Sequence, residues 1–113
     1  MTHDDIRKIA LAWPEVEDGT CYGTSALEIR KKMLVRLQED GDSLVMPSVP
    51  SREREMLVET QPKVFYFTDH YRDYPMVLIR LSKARRATVE PLLRRHWCTL
   101  ASKAAVKEYD ATS

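Results

Sequence analysis

Val64-Phe65-Tyr66-Phe67-Thr68-Asp69-His70-Tyr71-Arg72-Asp73-Tyr74-Pro75-Met76-Val77-Leu78-Ile79-Arg80-Leu81 is the stretch that decides the fold. Two runs rich in β-branched and aromatic residues flank a polar insert ending in Tyr74-Pro75, which predicts two strands joined by a loop longer than a tight hairpin turn. Met76 to Leu81 is nearly all apolar, so both of its faces are expected to be covered, as in a central strand. The insert concentrates the unusual chemistry of the chain: His70, Tyr71, Arg72 and Tyr74 lie within five residues, together with Asp69 and Asp73.

Upstream of this pair the pattern is that of an antiparallel meander. Leu27 and Ile29 alternate with Glu28 and Arg30, then Met33, Val35 and Leu37 alternate with Leu34, Arg36 and Gln38, with Lys31-Lys32 at the reversal. Glu39-Asp40-Gly41-Asp42 is a turn, and Ser43 to Met46 is a third strand closed by Pro47 and Pro50. The acidic, glycine-containing segment from Glu15 to Thr24 reads as a loop, with Glu15, Glu17 and Asp18 forming a solvated acidic surface.

Helices bracket these strands. Thr2 followed by Asp5 predicts a capping box ahead of Ile6, Ile9, Ala10 and Trp13 at helical spacing, and Pro14 ends that helix. Ser51 is the expected cap of a second helix whose alternating charges, Arg52 to Glu55, suggest a solvated face. Thr88 is the expected cap of a last helix, with Pro91 in its first turn and Val89, Leu93, Trp97 and Leu100 facing the sheet. His96 lies on or beside that stripe, and both it and Trp13 are expected in the core. The fold expected is therefore α+β, a two-layer sandwich with an antiparallel sheet of about five strands and helices mainly on one face.

A chain of 113 residues is expected to form one domain over 1–113, with a loose tail after about Tyr109. Composition, 43% hydrophobic and 31% charged, suits a globular protein. No apolar run approaches the roughly 20 residues of a membrane span, and no basic segment leads into an apolar one at the N-terminus. A cytoplasmic, monomeric protein without membrane partners is the expectation, with Cys21 and Cys98 reduced. Charge is graded along the chain: residues 1–20 carry two basic against five acidic residues, and residues 81–113 carry seven against three.

No Gly-rich phosphate loop, HExxH, CxxC or GxSxG motif is present, and His3, His70 and His96 are not spaced as zinc ligands. No catalytic residue, metal or cofactor is assigned on this basis. Two binding readings are open. Arg72, Arg80, Lys83, Arg85 and Arg86, with Tyr71 and Tyr74 available to stack, could hold nucleic acid weakly and without sequence preference. Alternatively, a small molecule or protein partner could occupy a pocket between the loops at Tyr22-Gly23 and at His70, Tyr71 and Tyr74.

Thr2 to Glu17, Tyr22-Gly23-Thr24, Val35-Arg36-Leu37 before Asp40-Gly41-Asp42-Ser43-Leu44, and His70-Tyr71-Arg72-x-Tyr74-Pro75 together resemble the MmcQ/YjbR family of small bacterial proteins over almost the whole chain. The resemblance implies an antiparallel sheet with helices on one face, related to frataxin-like and double-wing folds, and the DNA-binding label its members often carry. The chain departs from the family pattern at Lys31-Lys32, Asp73 and Met76, where glycine, glycine and a large aromatic are common.

Overall fold

The computed structural model of the chain describes residues 1–21 and 23–112, with side chains through Asp110. In order these form α1 (His3–Ala10), β1 (Val16–Cys21), β2 (Thr24–Ile29), β3 (Lys32–Leu37), β4 (Ser43–Pro47), α2 (Ser51–Thr60), β5 (Phe65–Tyr66), β6 (Met76–Arg80), α3 (Arg86–Leu100) and α4 (Lys103–Thr112). The strands make one six-stranded antiparallel sheet in the order β1-β2-β3-β4-β6-β5. The architecture is the α+β antiparallel one expected, with β6 inserted between β4 and β5 as a central strand.

The strand count is a correction, six rather than about five. Val16 to Cys21 is β1, the edge strand, not a loop. Its acids and glycine carry little β preference, but an edge strand needs only one neighbour, and polar residues protect its free side. At Gly19 the Glu28 carboxylate lies across the backbone of the β1–β2 pair, 2.6 Å from where a Cβ would stand, so a larger residue would push that side chain aside. The acids of this region are also engaged. Asp18 receives two hydrogen bonds from Arg7, at 2.8 and 2.7 Å, and Glu15 accepts from the Ser102 backbone N–H at 2.7 Å.

The β2–β3 reversal is a two-residue turn at Arg30 and Lys31, both with positive φ (52° and 67°). That conformation normally selects Asn-Gly, so this chain accepts local strain there.

The Thr2 capping box forms as expected, Asp5 N–H donating to Thr2 Oγ1 at 3.2 Å and Thr2 N–H to Asp5 Oδ2 at 2.8 Å. Other boundaries move. Pro50 and Arg85, not Ser51 and Thr88, are the cap residues, and Pro91 sits in the second turn of α3. The last helix is two: Ala101 turns extended, and Ser102 Oγ accepts from Ala105 N–H at 3.1 Å to start α4. α4 continues through Thr112, where the sequence suggested a loose end after Tyr109. Tyr109 holds it down, its ring 6.1 Å from Trp13 and 5.2 Å from Trp97.

Two faces of the sheet differ in cover. The main core joins Ile6 and Ile9 of α1, Trp13 of the turn that follows it, and Val89, Leu93 and Trp97 of α3 to Leu27, Leu44, Met46, Val77 and Ile79. Leu100 is only half-buried. On the opposite face the pairings Ala26–Arg36–Val45–Leu78–Tyr66 run across the sheet as one row. A second, smaller apolar cluster of Val45, Met76 and Leu78 lies there, with Met33, Tyr66 and Tyr71 against it.

His96 is the core histidine that its position predicts, 6% exposed. Its Nε2 lies 3.3 Å from the Met33 carbonyl of β3. A carbonyl only accepts, so the proton is on Nε2, leaving Nδ1 to face Thr99 Oγ1 at 3.3 Å. Burial holds its pKa below 6.5 against the upward pull of that carbonyl, with Arg95 adding a smaller downward push. His3 shifts the same way, through burial and then Arg7, with Asp18 and Asp4 opposing. A depressed histidine means the unfolded chain binds protons that the native state refuses, so stability falls as pH drops through about 6.5. The melting temperature should therefore decline between pH 7.5 and pH 5, above the range where the carboxylates titrate. A His3→Gln/His96→Gln variant should lose most of that slope, and an unchanged slope would place the titration elsewhere.

Candidate functional site

The face opposite the core is where the polar insert folds. Asp69 to Tyr71 forms one 3-10 turn, and backbone bonds from Tyr74 N–H to the Tyr71 carbonyl and from Met76 N–H to the Tyr74 carbonyl keep the segment coiled. Tight coiling of this kind turns several carbonyls inward, and buried carbonyls require donors. Arg54 of α2 supplies them. Its Nη1 donates to the carbonyls of Tyr71 (3.1 Å), Tyr74 (3.0 Å) and Met76 (3.3 Å), and its Nη2 to that of Arg72 (2.7 Å). The guanidinium also lies over the Phe67 ring, 4.0 Å from its centroid. Arg54 is 4% exposed. The charged stretch of α2 is thus not wholly a solvated face: one arginine is the peg on which the loop hangs. Its two terminal nitrogens do this alone, Nη1 sharing two hydrogens among three carbonyls, while Nε is buried without a partner among the described residues.

Pegged in this way, the loop presents its aromatic side chains over the sheet. His70 and Tyr71 meet edge to face at 4.7 Å, and Tyr71 and Tyr74 at 6.4 Å. Between them and the sheet lies an open cleft of about 650 Å³, floored by Met33, Val45 and Met76 and walled by His70, Tyr71, Tyr74 and Pro75, with Arg36, Glu39, Pro47 and Ser48 on its margin. Arg36 points across this face, its Nη2 donating to the Tyr71 hydroxyl oxygen at 2.9 Å and its Nη1 to Thr24 Oγ1 at 3.3 Å. Gln38 Nε2 approaches the same Tyr71 oxygen at 3.4 Å. On the far margin, Arg95 of α3 donates to the Ser48 carbonyl at 3.2 Å while pairing with Glu53 at 2.6 Å, which fixes Ser48 in its left-handed conformation (φ 61°).

Of the pocket residues expected from sequence, His70, Tyr71 and Tyr74 converge on this cleft. Gly23 lies in the β1–β2 turn with φ 79° and does not line it, and Tyr22 falls outside the described residues. Sequence reasoning missed Arg36, Met33, Val45 and Arg54. For Arg54 a signal existed, since Arg54, Leu57 and Val58 share one helical face at i, i+3 and i+4.

The basic residues differ in their partners. Arg72 pairs with Asp69 at the loop, and Arg86 pairs with Glu90 at 2.9 Å on α3. Arg80 stacks on Tyr66, 4.0 Å from the ring centroid, and donates to the Pro62 carbonyl at 3.1 Å. Lys83 and Arg85 are exposed at the β6–α3 junction, with no ion pair among the described residues. Beside Arg80, Ser43 Oγ donates to Asp40 at 2.6 Å and hydrogen-bonds the Tyr66 hydroxyl, and the Ser43 hydroxyl holds the Asp40 pKa below 3.8. Cys21 is half-buried at the sheet edge and Cys98 is exposed on α3, both as free thiols. Among the described residues no three His, Cys, Asp or Glu side chains converge as metal ligands, and no helix is long and apolar enough to cross a membrane.

Fold and site together define a class: a small α+β domain with one sheet face sealed by helices and the other carrying an aromatic-walled cleft. The same fold is seen in the crystal structure of Deinococcus radiodurans protein DR2400, a DUF419 domain, with a TM-score of 0.73 at 20% identity over 95% of this chain and 86% of that one. Among curated proteins, uncharacterized proteins of Mycobacterium bovis and Mycobacterium tuberculosis are 33% identical over 57 residues, 50% of this chain and 44% of theirs. The chain thus spans less than half the length of these relatives. No family model matches it.

Proposed function

We propose that this domain is a non-catalytic binding module whose ligand is a small, flat, largely apolar molecule seated in the cleft beneath His70, Tyr71 and Tyr74. The observation that carries this reading is an apolar floor left open on a face where the chain has instead placed a rigid aromatic wall. A protein that only needed to cover Val45 and Met76 could do so with aliphatic side chains. Pinning three ring-bearing residues over them with a buried arginine builds a recess instead. The volume lies within the usual range of about 300–1,000 Å³ for small-molecule sites, and such sites are mostly apolar with a few placed polar groups. Here those groups are Arg36, Tyr71 and His70.

The test uses 8-anilinonaphthalene-1-sulfonate as a flat apolar probe. Its fluorescence should rise on mixing with the folded protein, and the methyl resonances of Met33 and Met76 should move together during the titration. Val45→Glu, which places a charge on the floor, should abolish both effects. Probe binding that leaves those two methyl groups unmoved would refute the site.

A nucleic-acid reading keeps one specific observation in its favour, the unpaired and exposed Lys83 and Arg85. Two phosphate contacts would give a salt slope of only about −1.8 on duplex DNA, by the relation of about 0.9 per phosphate. Anisotropy of a labelled duplex at low salt, repeated with Lys83→Ala/Arg85→Ala, separates this reading from the cleft. Duplex binding lost in that variant supports it, and absence of binding at low salt removes it.

A further inference from the structure

We propose that the Tyr71 hydroxyl is the donor that orients the ligand, and that the ligand is an aromatic carboxylate whose oxygen meets that O–H; this rests on the cleft being the binding site. A tyrosine hydroxyl has one hydrogen to give and two lone pairs to accept with. Arg36 can only donate, so its 2.9 Å contact fills one lone pair of Tyr71. Gln38 at 3.4 Å is a weak partner whichever way its amide is turned. No good acceptor for the Tyr71 proton is found among the described residues, although the ring is half-buried and meets those of His70 and Tyr74 edge to face. A half-buried donor at the wall of an apolar cleft is a place where a ligand acceptor is held, because a ligand that fills the cleft also displaces the water that would compete for the bond.

The acceptor is assigned as a carboxylate by charge. The nearest fixed cation is Arg36, already in contact with the oxygen that would donate, and a hydrogen bond to an ionised acceptor is about twice as strong as a neutral one. Glu39 on the cleft margin opposes it, but Glu39 is exposed and its field is screened by salt. The apolar body is assigned as aromatic by the walls: edge-to-face rings at Tyr71 and Tyr74 and thioethers at Met33 and Met76 are favourable neighbours of a π face.

Two probes share a naphthalene body and differ in the head: 2-naphthoate offers an acceptor, and 2-naphthylmethylammonium offers only donors. Each is titrated into the wild-type protein and followed by the Met33 and Met76 methyl resonances. Naphthoate should bind at least tenfold more tightly. Because charge at Arg36 alone could favour the anion, the decisive variant is Tyr71→Phe. It should weaken naphthoate by about 10-fold or more, the usual worth of a hydrogen bond to a charged group, and weaken the ammonium probe much less, since that probe can use only the one remaining lone pair of the hydroxyl. Gln38→Ala should leave the preference intact, and unchanged melting of Tyr71→Phe would exclude loss of the fold. A naphthoate affinity unaltered in Tyr71→Phe overturns this inference while the cleft stands. Absence of any Met33 or Met76 response to either probe overturns the cleft itself.

Discussion

Replacing Arg54 with alanine should destabilise the protein by about 3–5 kcal/mol, from buried carbonyls left short of a donor and from the packing lost over the Phe67 ring. The reason is what remains behind. Four carbonyls, of Tyr71, Arg72, Tyr74 and Met76, would lose the guanidinium together, and among the described residues only those of Tyr71 and Tyr74 keep a backbone N–H, from Tyr74 and Met76. Each buried acceptor without a partner costs about 1–3 kcal/mol, and water entering the loosened loop recovers only part of that. For a domain of this size the melting temperature should fall by roughly 12–20 °C. Arg54→Lys should rescue little, since one ammonium cannot span both the carbonyl cluster and the Phe67 ring. Arg52→Ala, an exposed neighbour on the same helix, is the control and should change stability by no more than about 0.5 kcal/mol. The loop carries His70, Tyr71 and Tyr74, so probe binding at the cleft should be lost at temperatures where the variant is still folded. A variant that melts within about 1 kcal/mol of wild type would mean that the loop holds its shape without this arginine.

That arginine also marks where sequence reasoning stops. The strand pair around the polar insert, the meander before it and the Thr2 capping box were legible because each depends on local periodicity or on residues three apart. Arg54 was legible only in part: its place beside Leu57 and Val58 on one helical face was a signal of burial, but its partners are backbone carbonyls, which have no sequence signature. β1 was hidden for a related reason. Val16 to Cys21 owes its strand conformation to pairing with β2, and its own residues suggest a loop. The break between α3 and α4 falls at Ala101-Ser102, without the glycine or proline that would announce it. The cleft was half visible: His70, Tyr71 and Tyr74 stand together in sequence, whereas the floor needs β4 and β6 to become neighbours across a long connection. Arg36 could be placed on a polar strand face, but nothing local says which face the insert will cover.

The second large effect is expected at Trp97, where packing rather than polarity decides. Its side chain is fully buried among Trp13, Tyr109 and the sheet-facing core. The ring stands 5.6 Å from Trp13 and 5.2 Å from Tyr109, and its Nε1–H donates to the Pro14 carbonyl at 3.0 Å. It therefore joins three segments that are remote in sequence: α3, α4 and the turn that follows α1. Trp97→Ala should cost about 3–5 kcal/mol through lost transfer energy and the cavity left behind. Trp97→Phe keeps most of the apolar volume but leaves the Pro14 carbonyl unpaired, and should cost about 1–3 kcal/mol. The two variants separate packing from hydrogen bonding at one position. α4 rests on this cluster through Tyr109, so in Trp97→Ala its amides should exchange with solvent much faster than those of the β4–β6 pair, which lies at the centre of the sheet. Urea unfolding monitored alongside hydrogen exchange reads both effects. Loss of stability spread evenly over every amide, with no excess at α4, would show that Trp97 supports the core alone and that the last helix is held by something else.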